Sequence, residues 1–183
     1  MRHETKLVIL CGVLWLLTKT ILLYTAPRES GMIAGTLLNL FFIMLVSLYT
    51  IHRKVKMGRT ESFIEDLRAV LRSTMNYALL ATVLFGVFMF GIAADVNARH
   101  KQRIESEIES HFNTDEAYAK IIEDNPNLKG TPREEALEKE LSRFRMAFSW
   151  YKQTTLALLG LVVFGVFASI ITTVFWRNLM LRP

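Results

Sequence analysis

Hydrophobic residues are collected into four long blocks along the chain, and charged residues fill the segments between them. A helix needs about 20 apolar residues to cross a bilayer, because each residue rises about 1.5 Å through roughly 30 Å of hydrocarbon. Helical pairing also satisfies the backbone polar groups that lipid leaves unpaired. We therefore predict transmembrane spans over Leu7–Tyr24, Gly31–Ile51, Thr74–Ala94 and Thr154–Trp176. The expected fold class is all-α, an integral membrane four-helix bundle.

The first block is the one that a charged residue interrupts. Lys19 lies near the far end of this block. Long basic side chains near a helix end commonly extend towards the headgroups while their methylene groups stay in the apolar layer. We expect Lys19 to snorkel in this way.

The polar segment from Asp95 to Gln153 is charged but periodic. Its apolar residues recur at helical spacing in two stripes, which predict two amphipathic helices. The stripes consist of Ile104, Ile108 and Phe112, and of Leu137, Leu141, Phe144 and Phe148. Thr131, followed by Pro132 and Glu134, is typical of a helix start. A short helix is predicted over residues 115–123, with turns at 125–127 and 129–130.

We find no strong helix breaker between span three and the first stripe, or between the second stripe and span four. Spans three and four are therefore predicted to continue outside the bilayer as an antiparallel helical hairpin. The two stripes either hold these helices together or leave one face for a protein partner. The chain is divided into residues 1–94, with three spans and a basic loop at 52–73, residues 95–153, the hairpin, and residues 154–183.

Basic residues indicate the orientation in the membrane, because cytoplasmic loops are enriched in Lys and Arg. The loop between spans two and three begins with a basic cluster, Arg53, Lys54, Lys56 and Arg59, whereas the loop before span two contains Arg28. Both termini are therefore expected in the cytoplasm, with the cluster beside anionic headgroups. We accordingly attribute the formal net charge of +5 to basic residues that set the orientation in the membrane, and we expect no nucleic-acid partner. Basic residues at both ends of the long outer segment favour the opposite orientation, but the rule weakens in long loops.

Residues 62–65 match a capping box, in which Ser62 and Glu65 pair at the start of a helix. Phe63, Leu67, Val70 and Leu71 follow on one predicted face. This segment is expected to form a short interfacial helix or the lower extension of span three.

Small and neutral polar residues within the spans predict close helix packing. The candidates are Gly31, Gly35, Asn39, Gly165 and Ser169. Small residues four apart allow two helix backbones to approach, and an Asn can form a hydrogen bond between helices. Packing within one chain is favoured over homodimer formation.

Residues that would bind a metal or a cofactor are dispersed. Cys11 is the single cysteine, and the four histidines lie apart outside the spans. No HExxH, GxSxG, P-loop or GxGxxG motif occurs. We therefore expect no cofactor and no metal site.

Residues 35–40, the basic loop, and residues 61–66 leading into 76–80 resemble a family of small membrane proteins common in Bacteroidota, domain of unknown function 4199. The resemblance implies a bacterial inner membrane and an accessory role. In that family span three often ends in an Asp-Pro pair, whereas here Asp95 is followed by Val96, so the helix can continue.

The leading functional hypothesis is a non-enzymatic accessory or scaffold protein whose outer hairpin binds another envelope component, with a protein partner or a homo-oligomer expected. The rival is a small transporter or channel subunit, for which Thr36, Asn39 and Ser47 fall along span two. A membrane-embedded enzyme acting on lipid-linked substrates comes third, because no acids or histidines converge at one membrane depth.

Overall fold

The computed structural model describes residues 3–58, 62–124 and 130–180. The described residues form seven α-helices and one π-helical turn. In chain order these are α1 (His3–Thr25), α2 (Arg28–Lys56), α3 (Phe63–Val87), the π-helical turn (Phe88–Ile92), α4 (Ala94–Phe112), α5 (Asp115–Asp124), α6 (Arg133–Ala147) and α7 (Trp150–Met180).

The chain divides into two compact units. Unit 1 contains residues 1–92 and 154–183, and unit 2 contains residues 93–153. Unit 1 holds α1, α2, α3, the π-helical turn and most of α7, whereas unit 2 holds α4, α5 and α6.

Unit 1 is built from four helices that are long and apolar enough to cross a membrane. Predicted spans one, two and four fall within three of these helices, and predicted span three (residues 74–94) runs from α3 through the π-helical turn to the first residue of α4. The prediction of four long apolar helices that can cross a membrane is confirmed. Helices α1, α2 and α3 contact one another pairwise. Side-chain hydrogen bonds connect α7 to α2 and to α3. The interior includes Trp15, Ile43 and Tyr77, each at most 1% exposed.

The outer sides of the unit 1 helices are strongly apolar. Leu17, Val83 and Phe167 are 55%, 63% and 60% exposed, and many other large apolar side chains share this orientation. Soluble monomers rarely expose apolar patches of this extent, because contact between water and a large apolar surface costs free energy. Lipid is the solvent that matches this surface.

The connections between the unit 1 helices follow from local sequence. Pro27 takes an extended conformation (φ −54°, ψ 142°) and separates α1 from α2. Gly58 ends α2 with a φ of +64°, a conformation that side chains disfavour and glycine permits. The predicted capping box begins α3, because Ser62 accepts from the Glu65 backbone N–H and the Glu65 side chain accepts from the Ser62 N–H.

The predicted uninterrupted extensions of spans three and four are wrong in detail. The α-helix of span three gives way to the π-helical turn at residues 88–92, and Ala93 (ψ 14°) separates that turn from α4. Gly91 lies within this turn, and glycine has a low propensity for the α-helix. The helix before span four is also interrupted, because α6 ends at Ala147 and α7 begins at Trp150. Ser149 Oγ accepts a hydrogen bond from the Lys152 backbone N–H in the first turn of α7.

In unit 2 the two predicted amphipathic helices are present as α4 and α6. The short helix predicted over 115–123 is present as α5. Helix α6 begins one residue later than predicted, because Pro132 is extended (ψ 141°) and forms the N-cap in place of Thr131. Gly130 has a φ of +85°, which fits the predicted turn there. The predicted turn at residues 125–127 and Lys129 lie outside the described residues.

Candidate functional site

A buried carboxylate joins three helix ends in unit 1. Asp66, in the first turns of α3, is 0% exposed. Its Oδ1 lies 3.0 Å from Lys54 Nζ as an ion pair, and its Oδ2 accepts a hydrogen bond of 2.5 Å from Arg177 Nη1. Lys54 lies in the last turn of α2, and Arg177 lies in the last turn of α7. We name these three side chains the Asp66 cluster.

The position of each charge in the Asp66 cluster suits the helix that carries it. The N-terminus of a helix carries partial positive charge, which favours Asp66 in α3. The C-terminal ends of α2 and α7 carry partial negative charge, which favours Lys54 and Arg177. A buried charge costs several kcal/mol unless it is paired, and here two cations pair with one carboxylate. The cluster therefore fixes the ends of α2, α3 and α7 against one another.

One member of the predicted basic cluster belongs to this site. Lys54 contacts Asp66, whereas Arg53 is half-buried and Lys56 is exposed. Arg59 lies outside the described residues. Lys54 therefore contributes to packing between helices as well as to the basic charge at this end of the bundle.

Sequence reasoning missed Asp66, although its spacing carried a signal. The buried positions of α3 recur at helical spacing and begin at Asp66, continuing with Val70, Ser73, Thr74, Tyr77, Ala78 and Ala81. The predicted face of Phe63, Leu67, Val70 and Leu71 shares only Val70 with this set, and Phe63 is 38% exposed. Asp66 lies four positions before the buried Val70, so helical periodicity puts both residues on the same inner face of α3.

Polar side chains of α2 form hydrogen bonds inside the bundle. Tyr77 of α3 donates to Asn39 Oδ1 at 2.7 Å. Ser47 and Thr172 of α7 share a short hydrogen bond through their hydroxyl groups, and both are buried. Thr36 is exposed and donates to the carbonyl four residues earlier in its own helix. The residues considered for a channel therefore engage neighbouring helices or their own backbone.

A second set of polar and small residues joins α3 to α7. The hydroxyl groups of Thr74 and Ser169 lie 3.0 Å apart, and Ser169 is 0% exposed. Gly165 lies one turn earlier in α7, where a Cβ atom would lie 2.9 Å from Met75 Cε and 3.7 Å from Thr74 Cβ. The predicted packing residues Gly165 and Ser169 thus lie at a helix contact within this chain.

Lys19 lies inside the bundle, which differs from the predicted snorkelling. The residue is 8% exposed, its Nζ donates to the Gly31 carbonyl at 3.1 Å, and Nζ lies 5.1 Å from the centre of the Phe88 ring. Gly35 makes room for it, because a Cβ atom there would lie 2.3 Å from Lys19 Cδ. Trp15 Nε1 donates to the Gly35 carbonyl at 2.9 Å. The predicted Gly31 and Gly35 pair therefore receives two side chains of α1 within the same chain.

In unit 2, side chains connect α4 and α6 in antiparallel order. Arg145 Nε donates to Glu105 at 2.8 Å, and the His100 and Phe148 rings lie 6.0 Å apart. The hydrogen bond to Glu105 raises the pKa of the Arg145 guanidinium above its ordinary value. These contacts show that residues early in α4 face residues late in α6.

Further contacts close the other end of unit 2. Arg133 donates to Asp115 at 3.0 Å and to the Asn113 carbonyl at 2.7 Å. Tyr118 of α5 donates to the Thr131 carbonyl at 2.8 Å. The Thr131 carbonyl thus accepts a hydrogen bond from α5, and α6 begins two residues later at Arg133.

The two predicted apolar stripes lie on packed helices. Phe112 is 4% exposed, and the other six members, Ile104, Ile108, Leu137, Leu141, Phe144 and Phe148, are half-buried. The Phe144 and Phe148 rings lie 4.7 Å apart. Since α4 and α6 contact each other, the stripes contribute to holding unit 2 together.

Charge is segregated along unit 2. After Asp95, the basic residues of α4 come before its acidic residues, and after Arg133 the order in α6 is mostly the reverse, so antiparallel packing collects like charges. We name as the basic end Arg99, Lys101, Arg103, Arg143, Arg145 and Lys152. We name as the acidic end Glu107, Glu109, Asp115, Glu116, Glu134, Glu135 and Glu138.

Within residues 3–58, 62–124 and 130–180, no group of three or more His, Cys, Asp or Glu side chains is arranged to hold a metal ion. The length and apolar character of the four unit 1 helices define the class as a multi-pass α-helical membrane protein. Comparison with protein-family models, curated proteins and solved structures gave no match. The resemblance to domain of unknown function 4199 therefore stays a prediction.

Proposed function

We propose that the chain is a non-enzymatic accessory protein of a bacterial inner membrane, and that unit 2 binds another envelope component through its acidic end. The supporting observation is the charge segregation of unit 2, whose apolar stripes are engaged in its own packing. Complementary charge steers a partner and fixes its orientation without a large apolar surface. The expected partner surface is basic.

The interior of unit 1 supports an anchoring role. Its buried polar groups, such as Asn39 with Tyr77 and Thr74 with Ser169, form hydrogen bonds with one another between helices. The Asp66 cluster fixes three helix ends at the same time. These contacts suit a stable bundle that holds unit 2 at the membrane.

The basic residues that follow and precede the α2–α3 connection favour the cytoplasm for this loop. Arg53, Lys54 and Lys56 lie before it, and Arg68 and Arg72 lie after it. In this orientation both termini are cytoplasmic and unit 2 is periplasmic. The anionic headgroups of the inner leaflet are then the lipid partners of this basic end of the bundle.

The test is co-purification of the full-length tagged protein from native membranes in a mild detergent, with quantitative mass spectrometry of bound proteins. The acidic-end variant carries Glu116→Gln, Glu135→Gln and Glu138→Gln, three exposed side chains. We expect this variant to lose at least several-fold of the specific partner that the unsubstituted chain retains, because the complementary charge is removed.

The matched control neutralises three side chains of the basic end, Arg99→Gln, Lys101→Gln and Lys152→Gln. It changes as many charges in the same unit and should retain the partner. Equal recovery of every bound protein from the unsubstituted chain and from both variants would contradict the proposal. Solute flux in liposomes that persists in the acidic-end variant would favour the transporter instead.

A further inference from the structure

A cleft of about 330 Å³ lies between α1 and α3 in unit 1. Its lining includes Glu4, Val8 and Ile9 of α1 and Arg72, Asn76 and Leu80 of α3. The volume falls within the range of about 300 to 1,000 Å³ that is usual for small-molecule sites. The Asp66 cluster contributes none of these lining residues.

The charged residues of the lining and its large apolar residues lie at different levels along the helix axes. A Cβ atom on Gly12 of α1 would lie 2.9 Å from Leu80 Cδ2 of α3, which sets these two parallel helices in register. At about 1.5 Å rise per residue, Glu4 lies roughly 12 Å from Gly12 and Arg72 lies roughly 12 Å from Leu80. Glu4 and Arg72 therefore share one depth, and Val8, Ile9 and Leu80 lie further along the two helices.

The two charged side chains of the cleft have no partner within the part of the chain that the structure describes. No hydrogen bond or ion pair engages Glu4 or Arg72 there. Glu4 is half-buried, Arg72 is exposed, and Ser73 between the helices is 6% exposed. A carboxylate and a guanidinium therefore border one cleft, and its lining residues Ile9 and Asn76 are exposed.

We propose that this cleft binds a phospholipid whose headgroup carries both a phosphate and a primary ammonium, as in phosphatidylethanolamine. Arg72 binds the phosphate, for which the guanidinium fork is suited. Glu4 accepts hydrogen bonds from the ammonium group, and the hydroxyl and amide groups of Ser73 and Asn76 bind headgroup oxygens. One acyl chain lies along Val8, Ile9 and Leu80.

Three features select this occupant. The cleft has one anionic and one cationic side chain, which complements a zwitterion and not an anion alone. Its two charged side chains lie at the level where α1 begins, and Val8, Ile9 and Leu80 lie further towards the bundle centre, which matches the order of headgroup and acyl chain in one leaflet. The surrounding α1 and α3 are helices that are suited to a membrane. This inference does not depend on the role proposed for unit 2.

The test is native mass spectrometry of the full-length protein in detergent, titrated separately with phosphatidylethanolamine, phosphatidylcholine and phosphatidylglycerol. Phosphatidylethanolamine should bind most tightly. Phosphatidylcholine lacks ammonium N–H donors, and phosphatidylglycerol lacks the ammonium group. Loss of one charge-assisted hydrogen bond predicts about tenfold weaker binding for either competitor.

Two variants separate the two charges. Arg72→Gln should weaken phosphatidylethanolamine and phosphatidylglycerol alike by about tenfold, because both contain the phosphate. Glu4→Gln should weaken phosphatidylethanolamine by about tenfold and leave phosphatidylglycerol unchanged or tighter. Arg68→Gln is the matched control, since Arg68 is exposed one turn earlier in α3 and does not line the cleft.

Circular dichroism and thermal unfolding establish that each variant retains the fold. Equal affinity of the unsubstituted chain for the three lipids would overturn the proposal. Unchanged binding of phosphatidylethanolamine by Arg72→Gln or by Glu4→Gln would also overturn it. Glycerophosphoethanolamine is the same headgroup without acyl chains. If it competes at concentrations equal to those of the lipid, the ligand is a soluble phosphate ester and the lipid assignment is wrong.

Discussion

Replacement of Asp66 by Asn should destabilise unit 1, because Lys54 and Arg177 then face each other without the carboxylate between them. Removal of one partner of a buried ion pair costs about 3 to 5 kcal/mol. The side chains of Lys54 and Arg177 are 19% and 25% exposed in the folded protein, so both can turn outwards and recover solvation. We therefore expect about 3 kcal/mol, at the lower end of that range.

Thermal unfolding of the purified protein in detergent measures this effect. A loss of about 3 kcal/mol corresponds to a fall in Tm of about 6 to 12 °C for a chain of this length. The matched control is Asp95→Asn, which removes an exposed carboxylate from unit 2 and should change Tm little.

A mutant cycle tests whether the three charges act together. Lys54→Met and Arg177→Met should each be less harmful in the Asp66→Asn background than in the unsubstituted chain, because the carboxylate that they pair with is already absent. Full additivity of the three substitutions would refute the reasoning. An Asp66→Asn variant that unfolds at the same temperature as the Asp95→Asn control would refute it more directly.

Two further substitutions examine the interior of unit 1. Gly35→Ala should lower Tm, because its Cβ atom would lie 2.3 Å from Lys19 Cδ, and overpacking costs about 1 to 3 kcal/mol. Gly160→Ala meets no atom within 4 Å and should leave Tm unchanged or higher, so equal effects of the two would contradict this view. Tyr77→Phe removes a buried hydrogen bond to α2 and should cost about 0.6 to 2 kcal/mol. Tyr24→Phe, at a residue 78% exposed, is its control, and identical Tm values for both would count against the hydrogen bond.

The four spans could be predicted from the sequence because bilayer thickness fixes the length of an apolar helix. The capping box at Ser62 and the short helix α5 also followed from local patterns, since both depend on residues close together in the chain. Helix breaks were harder to predict. The π-helical turn at residues 88–92 contains Gly91 and no proline, so its sequence signal is weak.

The buried charges could not be predicted because their partners are distant in sequence. Lys19 donates to the Gly31 carbonyl and fills the space beside Gly35 in the next helix. Both contacts depend on how α1 and α2 pack. Asp66 pairs with Arg177, 111 residues away. The predicted face of α3 did not include Asp66, and helix periodicity alone could not indicate which helix ends meet there.

Site-directed cysteine labelling tests the proposed topology, in which four helices cross the membrane, the α2–α3 connection is cytoplasmic and residues 93–153 are periplasmic. Cys11, the single cysteine, is buried and is first replaced by Ala. Single cysteines then replace the exposed residues His3, Met57, Gln102 and Ser106 in turn. A membrane-impermeant maleimide added to spheroplasts should label positions 102 and 106, and positions 3 and 57 only after permeabilisation. Labelling of positions 57 and 102 from the same side would contradict the account.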